Sequence, residues 1–214
     1  MYISSSAPEF DVACRRCPRL SDFLTDVARQ YPDYYAKPVP PFGDPQAKLL
    51  IVGLAPGMHG ANRTGRPFTG DHAGILLYQT LYDFGFGSQP VSECASDRLE
   101  LMQCRISNAV KCLPPQNKPV TTEIKNCNHF LRAELMSLPE LGVILALGKI
   151  AHDAVLRAFA VPLSHYRFAH AAEHRLGGRV LLDSYHCSRY NTNTRRLTES
   201  MFHDVFRRAR ELVG

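Results

Sequence analysis

Apolar and polar positions along the chain switch between strand-length runs and helical spacing. Lys48–Gly53 carries a continuous apolar run ending in Gly-Leu-Ala-Pro-Gly, the pattern of a buried strand opening into a tight turn. Arg105–Val110, Leu141–Leu147 and Arg179–Ser184 read as three further strands. Leu20–Gln30 puts Leu20, Phe23, Leu24 and Val27 on one side of a helix. Glu199–Val213 does the same with Phe202, Val205, Phe206, Ala209 and Leu212. Helices are also predicted over Gly74–Phe84, over Glu123–Leu135 behind a Thr121 or Thr122 cap, and over Ile150–Phe159. The proline-rich stretch Tyr31–Pro45 and the polar, glycine-rich stretch Met58–Asp71 read as loops. Strands alternating with helices predict an α/β fold whose mainly parallel, four-stranded sheet is covered on both faces, in a single domain over 1–214. Ligands bind such sheets at the carboxyl ends of the strands. The loops after Gly53, Val110 and Ser184 are therefore expected to converge.

Composition narrows the class. The 214 residues are 45% hydrophobic and 21% charged, with 11 Phe and 9 Tyr, enough apolar surface to exclude a disordered chain. The most apolar stretches, Lys48–Leu54 and Leu141–Leu147, are far short of the roughly 20 residues of a membrane span, so no membrane partner is expected. Met1-Tyr2-Ile3-Ser4 opens no export signal, so a reducing, cytoplasmic setting is expected, where the 7 cysteines are not a disulfide framework. Lys and Arg number 25 against 20 Asp and Glu, a net charge of +5. That balance fits a polyanionic partner such as nucleic acid without requiring one.

Cys14-Arg-Arg-Cys17 is a C-x2-C pair, and Cys112 and Cys127 form a wider one. Four thiolates can hold tetrahedral zinc or a [4Fe–4S] cluster; the wide second spacing favours the cluster, and both stay open. Cys94, Cys104 and Cys187 have no close partner and read as ordinary core or surface thiols. His170 and His174 could chelate a metal only on a helix, and Phe168–Leu176 lacks helical character, so both read as structural.

The glycines of Gly53-Leu-Ala-Pro-Gly57 would let a ligand approach the backbone, although a plain turn has the same composition. Asn62–Asp71 sets Arg63 and Arg66, Phe68 and Asp71 within ten residues: cations for phosphates, a ring for stacking and a carboxylate. Solvated arginines around a core phenylalanine would also explain that segment. Asn108, at a strand end, offers a donor and an acceptor to a base edge. His186, after the fourth strand, can donate to developing negative charge.

Taken in order, Gly53–Gly57, His59–Asp71, Asn108-Ala-Val-Lys-Cys-Leu-Pro-Pro115, Ser184-Tyr-His186 with Asn191, and Leu197-Thr198 resemble the uracil-DNA glycosylase superfamily, and more narrowly its family-five (B-type) enzymes. The resemblance implies a three-layer α/β/α sandwich around a four-stranded sheet, with a structural [4Fe–4S] cluster on Cys14, Cys17, Cys112 and Cys127. It implies monofunctional hydrolysis of the C1′–N1 bond of deoxyuridine in DNA, extending to deaminated purines such as hypoxanthine, by a monomer. Related families carry Asp, Asn or Glu where this chain has Ala55, and the carboxylate matching Asp71 is assigned the chemistry instead. On this reading Gly53, Ala55, Gly57, Phe68, Asn108 and Asn191 form the base site and Asp71, His186 and Asn108 act on it. Arg63, Arg66, Ser188, Arg189, Tyr190, Arg195 and Arg196 meet the DNA. Two departures from the family pattern stand out: Cys187 replaces a proline, and Arg195-Arg196 replaces Gly-Arg. A zinc-stabilised nucleotide or phosphoester hydrolase, and a damage-binding module without turnover, are the rival readings.

Overall fold

The computed structural model describes residues 10–214, so the reading of Met1–Ser4 lies outside the described residues. The four expected strands form: β2 (Leu49–Gly53), β3 (Cys104–Asn108), β4 (Val143–Leu147) and β6 (Arg179–Ser184). They lie side by side and parallel in the order β3-β2-β4-β6. The sheet has six strands rather than four, because an antiparallel strand closes each edge. β1 (Phe42–Gly43) pairs with β3, and β5 (Glu173–Leu176) pairs with β6. β1 is two residues long inside a proline-rich loop, and β5 reads Glu-His-Arg-Leu, polar as an exposed edge must be. Neither has an apolar period to betray it.

Side chains of the parallel strands alternate between two cores. Leu50, Val52, Ile144, Ala146 and Leu181 pack on one face with Leu20 of α1 (Pro18–Gln30), α4 (Thr121–Ser137) and α5 (Lys149–Ala158). Leu49, Ile51, Val143, Leu145 and Leu182 pack on the other with α3 (His72–Asp83) and α7 (Glu199–Val213). Helices on both faces make three layers.

Two local expectations need correction. The segment 58–71 holds a helical turn, α2 (Ala61–Thr64), stopped by Gly65 at φ +78°. Thr121 and Thr122 lie inside α4 instead of capping it; Val120 is the N-cap, and the Glu123 carboxylate accepts the Val120 N–H at 2.8 Å. Among the described residues no helix is long and apolar enough to cross a membrane.

Candidate active site

Parallel pairing brings Gly53 level with Asn108 and Leu147 level with Ser184, so all four strands finish at one edge. A cleft of about 530 Å³ opens there, a volume suited to a small ligand. Ala55, Gly57, Phe68, Asp71, Asn108 and His186 all line it. Gly53 lies beneath: a Cβ there would come within 2.5 Å of Asn108 Oδ1 and 2.6 Å of the Phe68 ring. Only glycine lets that ring and that amide close over the strand end.

Phe68 takes φ +59°, a costly conformation for a bulky side chain. Its surroundings fix it. The Tyr78 hydroxyl donates to the Pro67 carbonyl at 2.6 Å, and a Cβ on Gly74 would collide with the Phe68 carbonyl. The ring stacks against His186, centroids 5.9 Å apart at 26°. Asn108 is buried and its Oδ1 has no partner. A buried amide oxygen left alone is unusual, and a donor on a bound ligand would complete it.

Asp71 precedes α3 without capping it. Its Oδ2 accepts the Ala61 N–H at 3.1 Å, and a Cβ on Gly57 or Gly60 would overlap the carboxylate. Burial pushes the carboxyl above the usual range, opposed by the N–H groups of Ala61 and Gly57 and by Arg63. His186 has its Nδ1 shielded and unpartnered, and burial brings the imidazole pKa down to about 4. The ring is therefore neutral at pH 7.

The DNA-facing set divides. Arg63, Arg189 and Arg195 are exposed along a groove of about 1060 Å³ that shares Phe68 and Asp71 with the cleft. Ser188 lines the cleft and N-caps α6 (Arg189–Asn193), on which Tyr190 is 70% exposed. Arg196 is exposed with its guanidinium 4.7 Å over the Tyr185 ring. Arg66 faces inward instead. It is buried, donates to Asp97 at 2.6 Å, and lies 4.3 Å over the Phe42 ring, so it has no free edge for a phosphate. Asn191 does not line the cleft; its amide donates to the His186 carbonyl at 2.8 Å and braces that loop.

The sequence reading missed part of the wall. Gly148 and Lys149, just past β4, belong to it, as do His72 and Asn117. The end of β4 could have been counted with the other strand ends. Asn117 sits in a left-handed pair with Gln116, both at φ +57°, and no residue type announces that.

Cys14, Cys17, Cys112 and Cys127 border one small hollow, and none is in a disulfide. Burial, then neighbouring thiolates, push the Cys112 thiol up to about 12; burial also raises Cys17 and Cys127. Four such thiols ionise together only when a cationic centre joins them. The Lys111 N–H points at Cys127 Sγ at 3.3 Å, as it would at a sulfur carrying negative charge. Among the described residues no three of these sulfurs come within 4.8 Å of one another. That is wider than the roughly 3.8 Å edge of a tetrahedron with 2.3 Å zinc–sulfur bonds. Four thiols around one hollow are a donor set that fits a metal or iron–sulfur centre.

A family model, the Uracil DNA glycosylase superfamily, matches residues 40–210. A type-5 uracil-DNA glycosylase of Thermus thermophilus is 48% identical over 208 residues, covering 94% of each chain. One from Mycobacterium leprae is 43% identical, covering 99% of this chain and 97% of that one. In fold alone, the crystal structure of wild-type Pedobacter heparinus SMUG2 is similar, with a TM-score of 0.50 at 15% identity over 88% of this chain and 82% of that one.

Proposed function

The chain belongs to the uracil DNA glycosylase superfamily and excises uracil in DNA repair, and from that premise we propose how its cleft does so. The reaction is monofunctional hydrolysis: the C1′–N1 bond breaks, hydroxide from water joins C1′, its proton goes to the departing base, and an abasic site remains. One observation carries the reading. Asp71 is the one carboxylate lining the cleft among the described residues, facing the space that Phe68, Asn108 and His186 enclose.

The glycosidic bond is out of reach inside a stacked duplex, so the nucleotide must swing out into the cleft. Phe68 receives the base on its ring. The unpartnered Asn108 Oδ1 accepts the ring N–H of uracil, while the amide N–H2 donates to an adjacent carbonyl. Hypoxanthine presents the same N–H beside a carbonyl, so the same contacts extend excision to deaminated purines. As the bond breaks, the base gathers negative charge and the sugar positive charge. His186, neutral at pH 7, donates a ring N–H to the base oxygen. Asp71 aligns water or faces the cationic sugar, work the Ala55 methyl cannot do. Gly57, Ser188 and the cations Arg63, Arg189, Arg195 and Arg196 take the phosphates, and Tyr190 fills the vacated stack.

Cys14, Cys17, Cys112 and Cys127 would hold a [4Fe–4S] cluster, whose contribution is a structural crosslink. The protein works as a monomeric single domain in the cytoplasm, meeting the nucleoid when it acts. The test is a uracil-containing oligonucleotide treated with protein and then alkali. Cuts appear at uracil and not in the thymine control; no cut at uracil would refute the reading. Asp71→Asn should slow excision roughly a hundredfold or more with DNA affinity little changed. Equal losses in rate and binding would remove its chemical role.

A further inference from the structure

Among the described residues no hydrogen bond holds the His186 ring: its Nδ1 is unpartnered, and its aim depends on the Phe68 ring beside it and on the backbone that carries it. That backbone leaves the sheet through Asp183 and Ser184, the last residues of β6. Asp183 is fully buried, where an ionised carboxylate needs compensation from every side. Its Oδ1 lies 2.8 Å from His152 Nδ1 on α5, and its Oδ2 lies 3.2 Å from His174 Nε2 on β5. Its own N–H donates to the Ala172 carbonyl at 2.9 Å. One side chain thus ties the end of β6 to a helix on one face and to the edge strand.

His152 faces an acceptor with each nitrogen, because Nε2 lies 3.1 Å from the Tyr166 carbonyl. A neutral imidazole has one N–H and would turn a lone pair on one of those oxygens. A proton must therefore lie between Nδ1 and Oδ1 while Nε2 keeps its own, and carried on the ring it makes a buried imidazolium–carboxylate pair. Burial disfavours the charged ring, but Asp183, the Tyr166 carbonyl and Asp153 together outweigh it and raise the pKa. The other group facing it is His174, which donates to the free oxygen of Asp183.

Beyond Asp183 the loop is held by scattered contacts: Gly148 N–H to the Ser184 carbonyl at 2.8 Å, Tyr185 N–H to His170 Nδ1 at 3.2 Å, the Cys187 thiol to the Ala73 carbonyl at 3.4 Å, Asn191 Nδ2 to the His186 carbonyl, and the Phe68 ring against His186 itself. We propose that the buried Asp183–His152 ion pair, with His174 on its second oxygen, is a positioning device that aims His186 at the bound base. Asp183, His152 and His174 touch no substrate and act through the three residues that follow Asp183. This inference rests on the excision reading above.

The test combines two backgrounds with one direct observation. In single-turnover excision of uracil from duplex DNA, Asp183→Asn should slow the intact protein between about tenfold and a hundredfold, the cost of a misplaced group. DNA affinity should stay unchanged. In a His186→Ala background the same substitution should do nothing further, because the aimed ring is gone. Asp183→Asn with His152→Gln should recover part of the loss, since no orphan charge is left inside. Equal slowing in both backgrounds would show a merely structural role and overturn the proposal. If Asp183→Asn fails to fold, His174→Gln, which removes one arm only, runs the same cycle. On the wild-type protein, nitrogen-15 NMR should show both His152 nitrogens protonated at neutral pH. One unprotonated nitrogen, or one equivalent of bound zinc between His152, His174 and Asp183, would also overturn it. A wild-type protein that leaves uracil in place sinks the functional reading instead, a result these NMR and metal measurements do not depend on.

Discussion

Arg66 donates to Asp97, to the Ser92 hydroxyl and to the Ala95 carbonyl, whereas Arg189 stands exposed where the cleft and the groove join. Their charge is the same and their environments are opposite. Arg66→Ala leaves the Asp97 carboxylate with the N–H groups of Glu93, Cys94 and Leu99 alone; burial opposes its charge, and the Arg66 side chain leads the influences that hold it below its usual pKa. Losing a hydrogen bond to a charged group costs about 1.5–3 kcal/mol, so thermal unfolding of this variant should fall below wild type. The slope of log affinity for DNA against log salt should not change. Arg189→Ala should leave unfolding alone and lower that slope by about one. If Arg66→Ala changes the slope and spares stability, the buried geometry misrepresents its role. Arg195 takes φ +55°, a left-handed conformation that favours glycine, the residue the family resemblance expects there, and it adds an exposed cation to the groove.

Between helices, Glu123 does two jobs from the first turn of α4. It accepts the Val120 N–H, and it accepts Arg19 Nε at 2.7 Å and Nη2 at 2.9 Å from α1. α1 follows Cys14 and Cys17 directly, and α4 carries Cys127, so this contact ties together the elements that carry the two halves of the cysteine site. Glu123→Ala should cost about 1–2 kcal/mol, typical of a lost cap, and lower the iron bound per chain, read by denaturation and by iron analysis. A variant with full iron and lower stability would separate the cap from the cysteine site. Elements were legible from sequence in proportion to their apolar period. β2, β4, β6, α1 and α7 announced themselves because burial on both faces dictated nearly every residue of the strands, and burial of one face every third and fourth residue of the helices. β1, β5 and α2 did not, since edge pairing and a single turn bury too little. The cleft was legible through its motifs at Gly53, Phe68, Asp71, Asn108 and His186. Arg66 was misplaced because an arginine beside a glycine-rich turn looks the same whether its partner is a phosphate or an aspartate thirty residues away.

Across the molecule, the four cysteines border a hollow that shares no lining residue with the cleft, though the two meet along the chain just past β3. Cys112 lies four residues beyond Asn108, and Lys111 between them is buried with its ammonium on Ser107 and on Glu134 at 3.3 Å. Leu20 of α1 enters the main core, and Leu24 and Val27 pack with Leu113, so the amino-terminal helix has apolar anchors of its own. The sheet does not depend on the thiols: β2, β4 and β6 are buried by helices on both faces. Cys112→Ser should therefore give a colourless protein that keeps its far-ultraviolet circular dichroism and melts earlier. A loss of even about 3 kcal/mol, a fraction of what structural metal sites contribute, lowers the midpoint by about 6–12 °C in a chain of this size. Excision measured well below that midpoint should fall by less than in Asp71→Asn, because the cleft keeps Asp71, Phe68 and His186 and loses only the tether behind Asn108. A brown, fully stable Cys112→Ser protein would show that another residue completes the site. A colourless one as inactive as Asp71→Asn would show that the cluster reaches the reacting atoms.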